Sequence, residues 1–345
     1  IVGDGALKTN NGIFNFNALH NIQSSLKQSI NFRIMFLLDD GNRYGITLAG
    51  MHPDYIGEFE SVLDSSSRKK WSEKWKTKLS NTEGITGDEM IRNITKDGIT
   101  ALYVVGDIPA HKNLSGLKFF IHQNMFLTET SEHADVFLPL SNFMESEGHI
   151  VNIEQNLKEI TQVVNPLDNI QPTWSIVSGI AKAMKDDNFK YNSMQDIFSE
   201  IKSNIDLTFS GSAATKSDYS PIKAEISNKS NGFPYYLIIE PNYFHFMGNL
   251  LTDHIRDMKK IRDEGILFLS TDIFNKMKIN EGDHVMLITK YGEIRTETRL
   301  MTELASKTVY FKPSWKHNFL FTEGINQNTD IVRVKIEYIH NGKNN

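Results

Sequence analysis

The sequence predicts an α/β region followed by a smaller, β-rich domain of barrel-like character. Three observations carry that prediction. In the first half, short apolar runs at Phe32–Leu38, Ala101–Val105, Phe119–His122 and Asp135–Leu138 are spaced by polar and helical stretches. From Phe233 to Tyr338 the chain is dense in β-branched and aromatic runs separated by glycine-containing turns. Between the two, Ser210 to Asp218 is small and polar and cannot bury enough apolar surface to form a core. The expected division is therefore an α/β region at 1–190, a connector at 191–232 and a β-rich domain at 233–345.

Taken in order, Phe32–Leu38 reads as a buried strand that stops at the turn Asp39-Asp40-Gly41-Asn42. A helix follows from about Ser65, with Trp71 and Trp75 four apart on one face among lysines. Asp88–Ile94 is a second helix. The runs at Ala101, Phe119 and Asp135 suit strands of a sheet covered on both faces, and Gly106-Asp107-Ile108-Pro109 leaves the carboxyl end of the first. Loops at that end bind ligands in many α/β folds. In the last domain, strands are expected at Tyr235–Ile239, Ile266–Leu269, Val285–Thr289, Ile294–Leu300, Thr308–Phe311 and Ile331–Tyr338. The turns Asn280–Asp283 and Lys290–Glu293 join some of them, and the alternation in Ile331–Tyr338 calls for one wet face.

Composition excludes several chemistries. The chain has 345 residues with 39% hydrophobic content, enough for more than one core. With no cysteine it offers no disulfide, no thiolate nucleophile and no cysteine-ligated iron–sulfur cluster of its own. A net charge of -5, from 37 basic and 42 acidic residues without a large block, gives no nucleic-acid footprint. Its longest apolar runs fall far short of the roughly 20 residues that span a bilayer as a helix. The opening Ile1-Val2-Gly3-Asp4 has neither initiating methionine nor targeting segment, so the sequence is expected to begin inside a longer polypeptide.

His122, His133, His245, His254 and His284 lack the close ligand spacing that marks a zinc or non-haem iron site, so structural or surface roles are expected. Glu129, Glu132, Asp135, Glu145 and Glu147 form an acidic neighbourhood that fits capping and solvation better than paired acid–base work. Ser141 and Ser146 have no histidine at hydrolase spacing. Thr128 and Thr130 are placed to cap a turn beginning near Ser131. Lys69, Lys70, Lys74, Lys76 and Lys78 make a wet basic face around the two tryptophans. No catalytic, cofactor-binding or metal residue is assigned.

Two stretches carry a family resemblance. Gln123-Asn124-Met125-Phe126-Leu127-Thr128-Glu129-Thr130, then Ala134-Asp135-Val136-Phe137-Leu138-Pro139 and Glu145-Ser146-Glu147-Gly148-His149-Ile150-Val151-Asn152, resemble an ordered series in molybdopterin oxidoreductases and in the large iron–sulfur subunit of NADH:quinone oxidoreductase. Ala101–Pro109 and the turn Thr9-Asn10-Asn11-Gly12 fit the same pattern. Ile279-Asn280-Glu281-Gly282-Asp283 and Lys290-Tyr291-Gly292-Glu293-Ile294 resemble the dinucleotide-binding domain that closes those proteins. The resemblance implies a molybdopterin oxidoreductase-like α/β lobe followed by a barrel-like domain.

Departures from the family pattern shape the functional expectation. Where active members carry Gly-Arg beside the cofactor, this chain reads Glu240-Pro241-Asn242, and a carboxylate there would repel a pyrophosphate. Where the family reads Glu-Gly-Arg, it reads Glu154-Gln155-Asn156. The resemblance with these losses implies a non-catalytic scaffold in the peripheral arm of respiratory complex I, with iron–sulfur clusters and FMN held elsewhere. Its partners would be other peripheral-arm subunits, at the matrix side of the mitochondrial inner membrane or the cytoplasmic side of a bacterial one. The alternative is the C-terminal part of a molybdenum or tungsten oxidoreductase such as formate dehydrogenase. A scaffold without a ligand would be held by permanent partners, and Trp71, Trp75, Trp315, Tyr243, Phe244 and Phe246 are the candidate anchors.

Overall fold

The computed structural model describes residues 1–3, 12–26, 34–37, 40–94, 98–108, 110–207, 232–240, 251–261, 264–313 and 332–339. In chain order the elements begin with β1 (Val2–Gly3), α1 (Gly12–Leu26), β2 (Phe36–Leu37), α2 (Arg43–Leu48), β3 (Tyr55–Ile56), β4 (Glu60–Ser61), α3 (Ser65–Lys74) and α4 (Gly87–Asn93). Then come β5 (Ala101–Val105), β6 (Phe119–Asn124), β7 (Val136–Pro139), β8 (Gly148–Val151), β9 (Leu157–Ile160), α5 (Thr173–Ala183) and α6 (Met194–Asn204). The last domain holds β10 (Tyr235–Ile239), α7 (Met258–Ile261), β11 (Ile266–Leu269), α8 (Thr271–Met277), β12 (His284–Ile288), β13 (Glu293–Leu300), β14 (Thr308–Lys312) and β15 (Val332–Tyr338).

Two compact units share this chain in an interleaved way. The first comprises Ile1–Leu7, Asn11–Thr86 and Leu138–Ala224; the second comprises Lys8–Asn10, Gly87–Phe137 and Glu225–Asn345. The expected division at 190 and 232 was contiguous, because composition is read along the chain, whereas membership of a unit is set by long-range contact. The expected connector also contains structure: α6 lies inside 191–232. Its signals were present, a capping box of Ser193 with Asp196 and apolar Met194, Ile197, Phe198 and Ile201 at helical spacing. Ser210–Ser220 lies outside the described residues, as do Thr9–Asn11, Pro241-Asn242, Tyr243, Phe244, His245, Phe246 and Trp315.

In the first unit, Leu48, Ile56, Val62, Trp71 and Ile205 form the core. Helix α3 starts where Asp64 accepts the Ser67 N–H at 2.7 Å. The turn delivers Trp71 inward, where it is fully buried, 4.9 Å from the Trp75 ring. Its indole N–H donates to Glu60 Oε2 at 3.0 Å, and Lys70 Nζ bridges Glu58 and Glu60, each at 2.7 Å. Lys70 is held above its ordinary range by its bonds to Glu58 and Glu60. Lys74 donates to the Asn204 carbonyl, so Lys70 and Lys74 are drawn into packing while Lys69, Lys76 and Lys78 stay exposed. Trp71 is a core residue and offers no docking surface.

In the second unit, β5 and β6 run parallel with Ala101 opposite Phe119, and β7 completes the order β5-β6-β7. One face, carrying Leu102, Val104 and Phe120, packs on Ile91, Ile94, Ile108 and Leu114. The other face shows Tyr103, Val105 and Phe119, each 37% exposed or more. Cover on both faces was expected; an apolar run reports residue type, and the covering layer must come from elsewhere.

The barrel-like expectation for the last domain is met by a closed six-stranded barrel of order β10-β14-β11-β13-β12-β15. Strands β10 and β15 close it, with Tyr235 opposite Val334. Leu267, Leu269, Val285, Leu287, Val309, Phe311 and Val334 are wholly buried inside. Lys278, in the left-handed region at φ 54°, ends α8.

Candidate active-site end of the parallel sheet

The carboxyl ends of β5 and β6 gather a set of buried polar groups that includes His122, Gln123, Asn124 and Thr130. Strand β5 ends at Gly106, whose φ of +89° favours glycine and whose missing Cβ would meet nothing within 4 Å. Its N–H donates to Gln123 O at 2.8 Å, which keeps the loop on the sheet. Asp107 follows, with its side chain only 6% exposed. On β6, His122, Gln123 and Asn124 are all fully buried.

Partner chemistry fixes the imidazole. Gly106 O, 2.9 Å from His122 Nε2, can only accept, so Nε2 carries the proton. Nδ1 then accepts from Ser131 Oγ at 2.9 Å. Ser131 Oγ in turn accepts the Thr128 N–H at 2.9 Å, and Thr128 Oγ1 donates to Asp107 Oδ1 at 2.9 Å. Thr130 Oγ1 donates to Ile108 O at 2.6 Å. The 3-10 turn Glu129–His133, capped by Thr128 and Ser131, thereby binds the β5 loop to the β6 exit. Asp107 Oδ1 is 3.9 Å from the histidine, beyond hydrogen-bond reach.

One buried group lacks a mate. Asn124 Oδ1 accepts the Met125 N–H at 2.8 Å, while its Nδ2 is buried without a partner. A buried, orphaned amide donor at the end of the strand that pairs with β5 is a group that a bound polar ligand can satisfy. Tyr103 donates to Gln123 Oε1, and burial raises the phenol above its ordinary range.

The sequence flagged Gly106, Asp107, Thr128, Thr130 and His122 singly and assigned none to a site. Parallel pairing brings them together, and the two strand ends are 18 residues apart in sequence, from Gly106 to Asn124. The other candidates disperse. Glu129, Glu132 and Asp135 belong to the second unit and Glu145 and Glu147 to the first. Asp135 accepts the Phe120 N–H at 2.7 Å and Glu145 the Asn142 N–H at 3.0 Å, which is the capping role expected of them. Ser141 and Ser146 pair with each other at 2.9 Å. His133 is exposed, and His254 stacks on Phe126 at 3.9 Å. Among the described residues no group of three or more histidine or carboxylate side chains is placed to hold a metal ion.

The two departures also have positions. Glu240 sits at the end of β10 with its side chain 19% exposed and Lys312 Nζ 3.8 Å away. Gln155 turns the β8–β9 hairpin at φ 62°, a left-handed conformation that a residue with a Cβ resists, at the position where the family pattern reads glycine.

Comparison with known proteins bears on the family and the fold. The model of the molybdopterin oxidoreductase family matches residues 1–183. A formate dehydrogenase alpha subunit of Methanocaldococcus jannaschii is 28% identical over 322 residues, covering 80% of this chain and 47% of that protein. A putative formate dehydrogenase of Staphylococcus haemolyticus is 31% identical over 170 residues, covering 46% of this chain and 17% of its own. Acetylene hydratase from Pelobacter acetylenicus has the same fold, with a TM-score of 0.57, 11% identity, and coverage of 81% of this chain and 50% of that one. The chain thus spans less than half the length of these curated relatives. A family model covering more than half of the chain places this protein in the molybdopterin oxidoreductase family.

Proposed function

We propose that this chain is the C-terminal part of a molybdenum- or tungsten-dependent oxidoreductase of the formate dehydrogenase kind. It would hold part of the pterin dinucleotide at the carboxyl end of β5 and β6. The names of the relatives favour this reading over the complex I scaffold. The observation that carries it is the orphaned Asn124 amide donor, fully buried at the end of β6.

The residues present fit the polar part of such a group. Asn124 Nδ2 would donate to a ring or phosphate oxygen, the Gly106–Asp107 backbone would line its edge, and Asp107 would accept from a ring N–H. His122, with both nitrogens committed, positions the two strand ends. When bound, the metal held by the pterin supplies two-electron redox chemistry, and the whole protein's substrate would be formate.

The test is metal and pterin analysis of the intact protein. Molybdenum or tungsten near stoichiometric, with pterin fluorescence after oxidation, is expected, and cofactor content should fall in Asn124→Leu. Full occupancy in that variant would remove the β5–β6 end from the cofactor site.

The scaffold reading keeps one observation in its favour: Glu240 stands at the end of the first barrel strand. Metal and pterin both absent from the intact protein would support it, with complex I peripheral-arm subunits as partners at an energy-conserving membrane.

A further inference from the structure

We propose that the outer edge of β9 is a strand-addition site for an extended segment of another polypeptide, which lodges one apolar side chain in the cavity beside Ile160. Strands β8 and β9 form a sheet of two strands held from the β8 side, where Asn42 Oδ1 accepts the Val151 N–H at 2.9 Å and His149 stacks on Phe198 at 3.5 Å, so that β9 is the edge. All four residues of β9 are exposed. The pairing register places Gly148 opposite Ile160 and Ile150 opposite Lys158.

Hydrogen-bond parity shows which groups are available. The Asn152 N–H donates to Asn156 O at 3.0 Å, and pairing alternates from there, so Lys158 and Ile160 bond to β8. The backbone N–H and C=O groups of Leu157 and Glu159 therefore face outward. These are the donors and acceptors an added strand uses.

Next to that edge lies a cavity of about 280 Å³ lined by Phe143, Gly148, His149, Ile160, Met194 and Phe198. Ile160 belongs to both features, so a strand laid along β9 delivers a side chain to the cavity mouth. Main-chain bonds with one filled pocket are the two parts of strand-addition recognition. Apolar side chains are exposed here, Phe143 of the lining at 67% and Val163, in the segment after β9, at 71%, while Ser146 and Glu147 add polar groups to the lining; the Val163 and Val164 N–H groups bond to Met144 O at 2.9 and 3.0 Å. A small molecule in the cavity would leave those apolar side chains bare.

Charge disfavours a second copy as the occupant. Antiparallel self-pairing must match outward-facing residues with outward-facing residues. The antiparallel registers that overlap the strand most fully set Lys158 against Lys158 or Glu159 against Glu159, and like charges directly opposite repel. The fitting partner is a different extended segment, acidic opposite Lys158, basic opposite Glu159 and apolar at the cavity.

The absence of cysteine makes the test direct, because Glu159→Cys introduces the one thiol of this sequence for a benzophenone probe. In the assembly purified from cells that make it, irradiation should join Glu159→Cys to a second polypeptide, with the crosslinked peptide identified by mass spectrometry. Leu157→Pro removes an outward N–H and spares the β8 ladder; it should lower the crosslink yield about tenfold, the equivalent of one or two lost hydrogen bonds. Hydrogen exchange gives a readout that needs no variant: the Leu157 and Glu159 amides should exchange quickly in the isolated chain and slowly in the assembly. Crosslinks only within this polypeptide or to a second copy, or equal exchange in both states, would overturn the proposal. Cofactor content does not enter this experiment, so its outcome is independent of the function proposed above.

Discussion

Replacing His122 by phenylalanine isolates the hydrogen bonds of the candidate site from its packing. Phenylalanine keeps the ring that stacks on Phe120 at 5.9 Å and meets Phe137 edge-on at 5.8 Å. It removes both polar contacts, to Gly106 O and to Ser131 Oγ. Each lost bond costs about 1 kcal/mol, because Gly106 and Ser131 are only part-buried and regain some water, giving about 2 kcal/mol in all. Alanine at the same place also empties the ring's volume and should cost about 3–5 kcal/mol. Native-state hydrogen exchange of the β6 amides measures both as faster local opening. If the phenylalanine variant opens no more easily than the parent, the histidine is a space-filler and the positioning argument fails.

Trp71→Ala should destabilise the first unit by about 3–5 kcal/mol, seen as a lower urea midpoint, since the indole is wholly buried and bonded to Glu60. Gly57→Ala should cost about 1–3 kcal/mol or more in the same assay, because its Cβ would lie 2.1 Å from the Trp71 ring. Gln155→Gly should stabilise the β8–β9 hairpin by about 1 kcal/mol, relieving a residue held at φ 62°. Hydroxyl donors from Ser270 and Ser306 hold the Asp272 carboxylate at about 2, below its ordinary 3.8. The folded value is the lower one, so this stabilisation is present above 3.8 and lost as pH falls toward 2. The thermal midpoint of Asp272→Asn should accordingly lie below the parent's at neutral pH and converge with it across that window.

Legibility differed between the two halves of the chain. The barrel strands fell within a residue or two of the expected spans, because alternation and glycine turns are local signals, as in Val332–Tyr338 and the Thr289–Gly292 turn. Helix α6 was missed although Ser193, Asp196 and the spacing of Met194, Ile197, Phe198 and Ile201 announced it; the polar stretch after it dominated the composition of the window. The functional inference drawn from Glu240 gave one carboxylate more weight than the ordered match at Gln123–Asn152. The relatives shift the weight back to the oxidoreductase reading.

By itself, the sequence determined the family, through the ordered segments around Phe126–Thr130 and Glu145–Asn152, and it showed that these 345 residues supply no cysteine. It also determined the barrel, whose inward residues repeat every second position. Only the tertiary structure decided that Gly106, Asp107, His122, Asn124, Thr128 and Ser131 form one polar cluster, and that Trp71 is core. Each of those facts depends on which strand lies beside which and on what covers a face. Such long-range pairing is settled by the whole chain's packing and leaves no periodic trace in the segments it joins.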